Sequence, residues 1–179
     1  MSPMIVTETE RLILRRFTSE DAEENYRIYT DPDNMRFMGR PPDSVESERY
    51  NLRRHIANYY DRHDFGLWAV VLKEDGRLVG RCGLLCQQIE DSREVEVSYL
   101  VDKHYRGRGL ATEAAREVVK LGFEKYGLPR LVAVIHPENV ASVRVAEKIG
   151  MRYERDVDFR EFGRVAMYAK ARDADGVGK

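Results

Sequence analysis

A strand, a glycine-bearing turn and a helix follow one another directly in residues 96–114, EVSYLVDKHYRGRGLATEA. Gly107 and Gly109 let the backbone turn tightly and approach a ligand with no side chain in the way. The helix that follows begins with unpaired backbone N–H groups and a partial positive charge, to which Arg106 and Arg108 add two full charges. Together these features predict a binding site for a phosphorylated ligand.

The residues of the turn and the overall charge limit the other interpretations. Arginine–glycine pairs also occur in plain tight turns with solvated arginines and in RNA-binding tails. No Lys-Ser or Lys-Thr follows the second glycine, as a nucleotide-triphosphate loop requires, and there is no GxGxxG motif. The chain has 30 basic and 31 acidic residues and a net charge of −1, which argues against a nucleic-acid-binding protein. Two interpretations of the turn remain: a phosphate-binding site and a plain tight turn with solvated arginines.

Hydrophobic patterns place further strands and helices around this unit. Strands are predicted at residues 11–15, 67–72, 78–85, 93–101, 131–135, 153–159 and 164–170. Helices are predicted behind a capping box at 18–21, over 44–60, from Leu110 until Gly127 and Pro129 end it, and from the N-cap Asn139 to Ile149. Residues 31–42 hold three prolines and a glycine and are predicted to be an irregular loop. The pattern predicts one mixed α/β domain over residues 1–172 and a flexible tail over 173–179.

The sequence predicts a cytoplasmic protein with no membrane association. No apolar run approaches the ~20 residues of a membrane helix, and the first ten residues do not resemble a signal peptide. On one strand, Cys82 and Cys86 would lie ~13 Å apart, too far for a disulfide, so both are predicted to be small core residues in a reducing compartment. His55, His63 and His104 lack Cys or His partners at metal-binding spacing, so no metal site is expected.

Three motifs resemble the GNAT superfamily of N-acetyltransferases. RGRGLA at residues 106–111 resembles its R/Q-x-x-G-x-G/A signature, and PENVASVRVAEKIGM at 137–151 is similar to its second motif. TETERLILRR at 7–16 resembles the Rim-type branch, the ribosomal-protein N-terminal acetyltransferases. The resemblance implies a central, mostly antiparallel sheet that is splayed in the middle and flanked by helices. It also implies an acyl-CoA-dependent N-acyltransferase whose co-substrate is acetyl-CoA.

The same resemblance implies where acetyl-CoA binds. Strand 93–101 is expected to carry a bulge and to splay from strand 131–135, which opens a wedge for pantetheine. Pantetheine would pair with the main chain near Leu100 and Val101. Asn139 would contact the pantetheine arm or an ordered water, beside its simpler role as a helix cap. The pyrophosphate would be held by the backbone amides of Arg106, Gly107, Arg108, Gly109, Leu110 and Ala111.

Two residues are the candidates for proton transfer. A free alkyl amine has a pKa near ~10, so a group must remove its proton before attack on a thioester. Glu96 matches the glutamate of the branch's E-I-G-Y segment and is the predicted general base; the alternative is a solvent-facing glutamate like Glu94. Many family members protonate the thiolate with a helix tyrosine, but Ala146 stands at that position. Ser142, expected near the thioester sulfur, is the predicted substitute, and a water relay is the alternative.

The acceptor is predicted to be a primary amine, either a protein N-terminus or a small molecule. Tyr29, Met35, Phe37 and Met38 surround the loop that would line its pocket, or they simply pack there. A CoA-binding module without turnover is the alternative function, and the protein is expected to be a monomer or a homodimer.

Overall fold

Eight strands hydrogen-bond into one sheet in the computed structural model, which describes residues 3–173. The strands are β1 (Ile5–Glu8), β2 (Leu12–Arg16), β3 (Leu67–Leu72), β4 (Leu78–Ile89), β5 (Ser92–Val101), β6 (Arg130–Ile135), β7 (Arg152–Asp158) and β8 (Arg164–Ala171). Their order is β1-β2-β3-β4-β5-β6-β8-β7, and every neighbouring pair is antiparallel except β5–β6. The predicted fold class, a mixed α/β domain with a mostly antiparallel sheet, is confirmed. The predicted tail lies outside the described residues, apart from Asp173.

The sheet splays between β5 and β6, as predicted. These strands pair only at Glu96 and Val132, whereas β5 pairs with β4 along its whole length, from Ser92 to Val101. That pairing has no break in register, so the bulge expected in β5 is wrong. Register shifts occur instead in the β1–β2, β3–β4 and β7–β8 pairs. Because β5 alternates without interruption, Glu94 and Glu96 lie on the same face of the sheet.

Six α-helices within the described residues cover the two faces: α1 (Ala22–Thr30), α2 (Pro32–Met35), α3 (Val45–His55), α4 (Asp61–His63), α5 (Leu110–Glu124) and α6 (Val140–Lys148). The predicted helix 44–60 is α3 followed by a π-helical stretch, Ile56–Tyr60, that leads into α4. Residues predicted as an irregular loop form α2, because Pro32 suits the first helical position and Asp31 accepts a hydrogen bond from the backbone of Asp33 (2.9 Å).

The sheet separates two apolar layers. On one face, α5 buries Leu110, Ala114 and Val118 against Trp68 and Leu131. On the other face, α1 and α3 pack over Leu100 and its neighbours. Among residues 3–173, no helix combines the length and hydrophobicity needed to cross a membrane.

Both cysteines are free. Cys82 is buried, as predicted. Cys86 is exposed, although it lies on the same face of β4 as the buried Cys82 and Leu84, so the prediction that Cys86 is a core residue is wrong.

The opening TETER segment fixes the start of α5. Thr9 donates a hydrogen bond of 2.6 Å to Glu113, and Arg11 forms an ion pair of 2.6 Å with the same carboxylate. Arg11 also donates to the carbonyl of Arg108 (2.8 Å), while Thr7 bonds Glu117 one turn further along the helix (2.8 Å). These contacts hold the glycine turn and the N-terminus of α5 against the β1–β2 connection.

Candidate active site

The turn before α5 presents unpaired backbone donors to an open space. Gly107 and Gly109 have φ of +75° and +76°, a conformation that favours glycine, and no atom lies within 4 Å of a Cβ built at Gly107. The first helical bond runs from the N–H of Glu113 to the carbonyl of Gly109 (3.0 Å), and Gly109 supplies no capping side chain. The preceding N–H groups of the first turn therefore suit an anionic ligand, which the helix dipole also favours.

The two arginines of this turn have different surroundings. Arg106 donates to the carbonyl of Val101 (3.1 Å) and to the side chain of Asn34 (2.9 Å), so it ties α2 to the end of β5. Arg108 is partly exposed and pairs with Glu74 at 3.3 Å. Both place a positive charge beside the turn, but each also bonds to other groups of the protein.

A cavity of about 530 Å³ occupies the wedge between the end of β5 and α6. Leu100, Val101 and Ala111 line it, whereas Leu110 is fully buried in the core below. Asn139 lines it too, and its side chain accepts a hydrogen bond from the N–H of Ser142 (3.2 Å), which confirms the predicted cap. The wedge is thus walled by the two segments that sequence analysis singled out.

A smaller cavity of about 230 Å³ adjoins the wedge and contains Glu96. The residues that line both cavities are Phe37, Met38, Tyr99, Asn139 and Ser142. A molecule lying in the wedge and a molecule lying beside Glu96 would therefore meet between α6 and β5.

Glu96 is buried at the floor of this smaller cavity, which we call the Glu96 cavity. Burial raises the pKa of its carboxyl to about 7, against a hydrogen bond from Gln87 and the charges of Arg160 and Arg81, which lower it. Gln87 donates through Nε2 at 2.6 Å, and its carbonyl oxygen accepts a hydrogen bond from Arg160. A carboxyl with this pKa exchanges a proton readily near neutral pH.

Ser142 lies on the first turn of α6, on the same side as the buried Ala146. Its carbonyl accepts a hydrogen bond of 2.8 Å from the hydroxyl of Tyr99 on β5. Burial raises the pKa of that phenol, so the hydroxyl stays protonated. Sequence analysis missed Tyr99. It lies on the same face of β5 as Val97 and Val101, which pack against α5 and α6.

The four residues predicted to line the acceptor pocket lie in two different cavities. Phe37 and Met38 border the Glu96 cavity, and the ring of Phe37 stacks on His136 with centroids 5.3 Å apart. Tyr29 and Met35 line a separate cavity of about 570 Å³ between α1 and α3, which we call the α1–α3 cavity.

Sequence analysis did not identify several polar residues of the Glu96 cavity, among them Gln87, Arg81 and Arg160. Gln87 lies beyond the predicted end of β4, and Arg160 lies in the connection between β7 and β8. The only sequence feature that could have identified Gln87 is its two-residue spacing from Leu85, which places both side chains on one face of β4. No sequence pattern indicated that the connection containing Arg160 would reach this cavity.

Comparison with known proteins places these features in a family. The family model for the acetyltransferase (GNAT) domain matches residues 11–152. The uncharacterised protein YkkB of Bacillus subtilis is 33% identical over 154 residues, which cover 83% of this chain and 86% of YkkB. Spermidine N(1)-acetyltransferase of Escherichia coli K12 is 25% identical, over 80% of this chain and 74% of its own.

The solved structures agree on the fold. RimL, a ribosomal L7/L12 alpha-N-protein acetyltransferase in complex with coenzyme A, superposes with a TM-score of 0.81 over 96% of this chain and 99% of its own. Its sequence is only 17% identical, so this likeness concerns the fold alone.

Proposed function

We propose that this chain, which belongs to the GNAT acetyltransferase family, transfers the acetyl group of acetyl-CoA to a primary amine bound beside Glu96. The observation that carries the proposal is the position of Glu96. It is a buried carboxyl with a pKa of about 7, in a cavity that opens onto the wedge between β5 and α6.

The residues around the wedge fit acetyl-CoA, the co-substrate of the family. The positive-φ glycines and the free N–H groups at the start of α5 suit its pyrophosphate, supported by the charges of Arg106 and Arg108. The main chain near Leu100 and Val101 lies where the sheet is open, and it would bind the pantetheine amides. When bound, acetyl-CoA supplies the activated acyl group.

Glu96 prepares the acceptor for attack. In its ionised form it accepts a proton from the ammonium form of the acceptor, directly or through one water, which leaves the nitrogen lone pair free. That lone pair forms the new C–N bond as the C–S bond breaks. Gln87, itself held by Arg160, fixes the carboxylate in one orientation.

Ser142 completes the proton balance. Because Ser142 lines both cavities, we propose that its hydroxyl donates a proton to the leaving thiolate. The serine regains a proton from the attacking nitrogen, which loses its second proton as the amide forms. Glu96 releases the first proton to solvent. No hydroxyl is available at Ala146, one turn further along the helix.

Thiol release from acetyl-CoA, followed with a panel of primary amines and short peptides, tests the proposal. The Glu96→Gln variant should keep its affinity for acetyl-CoA and lose roughly a hundredfold or more in rate. The matched control is Glu94→Gln on the same face of β5, since Glu94 is bonded to Arg130 and does not line the Glu96 cavity. Equal rates for Glu96→Gln and the wild type would return Glu96 to a structural role.

A further inference from the structure

Arg81 is a partly buried cation that forms no ion pair within the described residues, although its charge acts on the nearby carboxyls of Glu96 and Glu48. It lies on β4, and its guanidinium stacks over the ring of Tyr29 at 4.1 Å. Its Nε is buried without a hydrogen-bond partner, and no residue within 3–173 forms an ion pair with it. Stacking on an aromatic face leaves the in-plane N–H donors of a guanidinium available to other acceptors.

The nearest acidic side chains are engaged elsewhere. Glu48, across the α1–α3 cavity, accepts hydrogen bonds from Asn25 (2.6 Å) and Asn51 (3.5 Å). Glu96 accepts from Gln87. Because a buried charge is costly until an opposite charge pairs with it, Arg81 is suited to receive a carboxylate from a ligand.

Its position directs that carboxylate toward the reacting amine. Arg81 pairs with Leu100 in the β4–β5 ladder, so its side chain shares a face with Glu96, four residues along β5. It lines the Glu96 cavity as well as the α1–α3 cavity and is half-buried, so a ligand can reach it from the reaction site.

The charges of the Glu96 cavity fit such a ligand better than a polycation. Its acidic side chains are Glu96 and Glu161, whereas Arg81 and Arg160 are both cationic. Arg160 is already bonded to Gln87, so among the described residues Arg81 is the arginine of this cavity that keeps its donors. A polyamine, in contrast, would bring more positive charge to a cavity with two guanidinium groups.

We propose that Arg81 binds a carboxylate of the acceptor, so that the acceptor is a primary amine that carries a carboxylate in the same molecule. This inference rests on the proposed function. The amine lies beside Glu96 and the carboxylate beside Arg81, which gives two-point recognition. Charge-assisted guanidinium–carboxylate pairing should favour such acceptors over neutral analogues by about ten- to a hundredfold.

Matched pairs of acceptors test this inference through kcat/KM for thiol release from acetyl-CoA. One arm compares glycine, β-alanine and γ-aminobutyrate with their amides, and a second compares the peptides Ala-Asp-amide and Ala-Asn-amide. The first arm reports a free amino acid and the second an acidic peptide. The wild type should prefer the carboxylate member of at least one pair, and Arg81→Gln should reduce that preference to about one.

Two further variants keep the result interpretable. Arg93→Gln removes an exposed arginine from β5 and should leave the preference unchanged. Arg81→Lys keeps the charge without the planar donors and should keep part of the preference; it decides the matter if Arg81→Gln does not fold. The rise in melting temperature on adding acetyl-CoA identifies folded protein.

The outcomes separate this inference from the function beneath it. A wild type that acetylates amides and carboxylates equally, or an Arg81→Gln variant that retains the full preference, would overturn the carboxylate inference alone. If acetyl-CoA binds but no amine causes thiol release, the proposed function fails and the inference fails with it.

Discussion

The hydroxyl of Tyr99 donates a hydrogen bond of 2.8 Å to the backbone carbonyl of Ser142, which joins β5 to the first turn of α6 across the wedge. A phenol from the sheet therefore approaches the helix whose own tyrosine position is occupied by Ala146. Because Tyr99 gives its single proton to this carbonyl, we assign it the positioning of Ser142 and leave proton donation to the serine hydroxyl.

Substitutions at these two positions should have different effects. Ser142→Ala should lower kcat without changing the affinity for acetyl-CoA, and by less than the roughly hundredfold typical of a general acid, since a thiolate is a good leaving group. Tyr99→Phe loses a hydrogen bond worth about 1 kcal/mol and should weaken acetyl-CoA binding as well, because α6 is no longer anchored.

Steady-state kinetics with chemistry shown to be rate-limiting make this measurement. Ser98→Ala is the matched control, because Ser98 lines the Glu96 cavity but not the wedge. An unchanged kcat in Ser142→Ala would remove Ser142 from the mechanism and leave water as the proton donor.

Local chemistry made part of this site predictable from sequence. The glycine turn before α5 and the Asn139 cap depend on neighbouring residues, and the structure places both as predicted. The short strand β1 was missed because its residues are half-buried or exposed and show no strong apolar pattern. The residues around Glu96 were missed for another reason. Arg160 reaches Gln87 from 73 positions away, through a pairing of strands that no local pattern encodes.

The hydrogen bond from Gln87 should set the pH at which Glu96 becomes a base. This bond favours the carboxylate and lowers its pKa, so Gln87→Leu should raise that pKa above about 7. Because the ionised form is the active one, kcat/KM should then begin to rise at a higher pH than in the wild type. Gln88→Leu is the matched control, since Gln88 is exposed and bonds the carbonyl of Glu90 instead. Identical pH profiles for the two variants, measured with one amine, would show that Gln87 does not act on Glu96.

Substitution of Gly109 should weaken acetyl-CoA binding, in addition to the stability that any side chain at this positive φ would cost. Gly109→Val places a branched side chain where the phosphate would approach, and each lost charge-assisted hydrogen bond costs about tenfold or more in affinity. Gly76→Val is a matched control, because Gly76 has a similar φ of +71° and open space but lies in the β3–β4 turn. Both variants should lose some stability, and only Gly109→Val should lose affinity in calorimetry. Equal affinity in the two folded variants would contradict a pyrophosphate site at this turn.

Glu96 should lower the free energy of unfolding near and above pH 7, where its ionised form acts as a base. Below its ordinary pKa of 4.5 the carboxyl is protonated in the folded and unfolded chains alike. As pH rises from 4.5 to about 7, the unfolded chain releases this proton and the folded chain retains it, so the free energy of unfolding falls. The difference corresponds to on the order of 3 kcal/mol and persists at higher pH.

Glu96→Gln removes the titration, so its free energy of unfolding should exceed that of the wild type at pH 8 and approach it at pH 4. Urea denaturation at the two pH values measures both proteins. Glu94→Gln on the same face should behave in the opposite direction, because that carboxylate is paired with Arg130 at 3.2 Å and its loss removes a favourable contact. A Glu96→Gln protein that is no more stable than the wild type at pH 8 would mean that the Glu96 carboxyl is solvated, and the raised pKa on which its role as a base depends would be wrong. A gain in stability together with a loss of activity would identify Glu96 as a group retained for function against the stability of the fold.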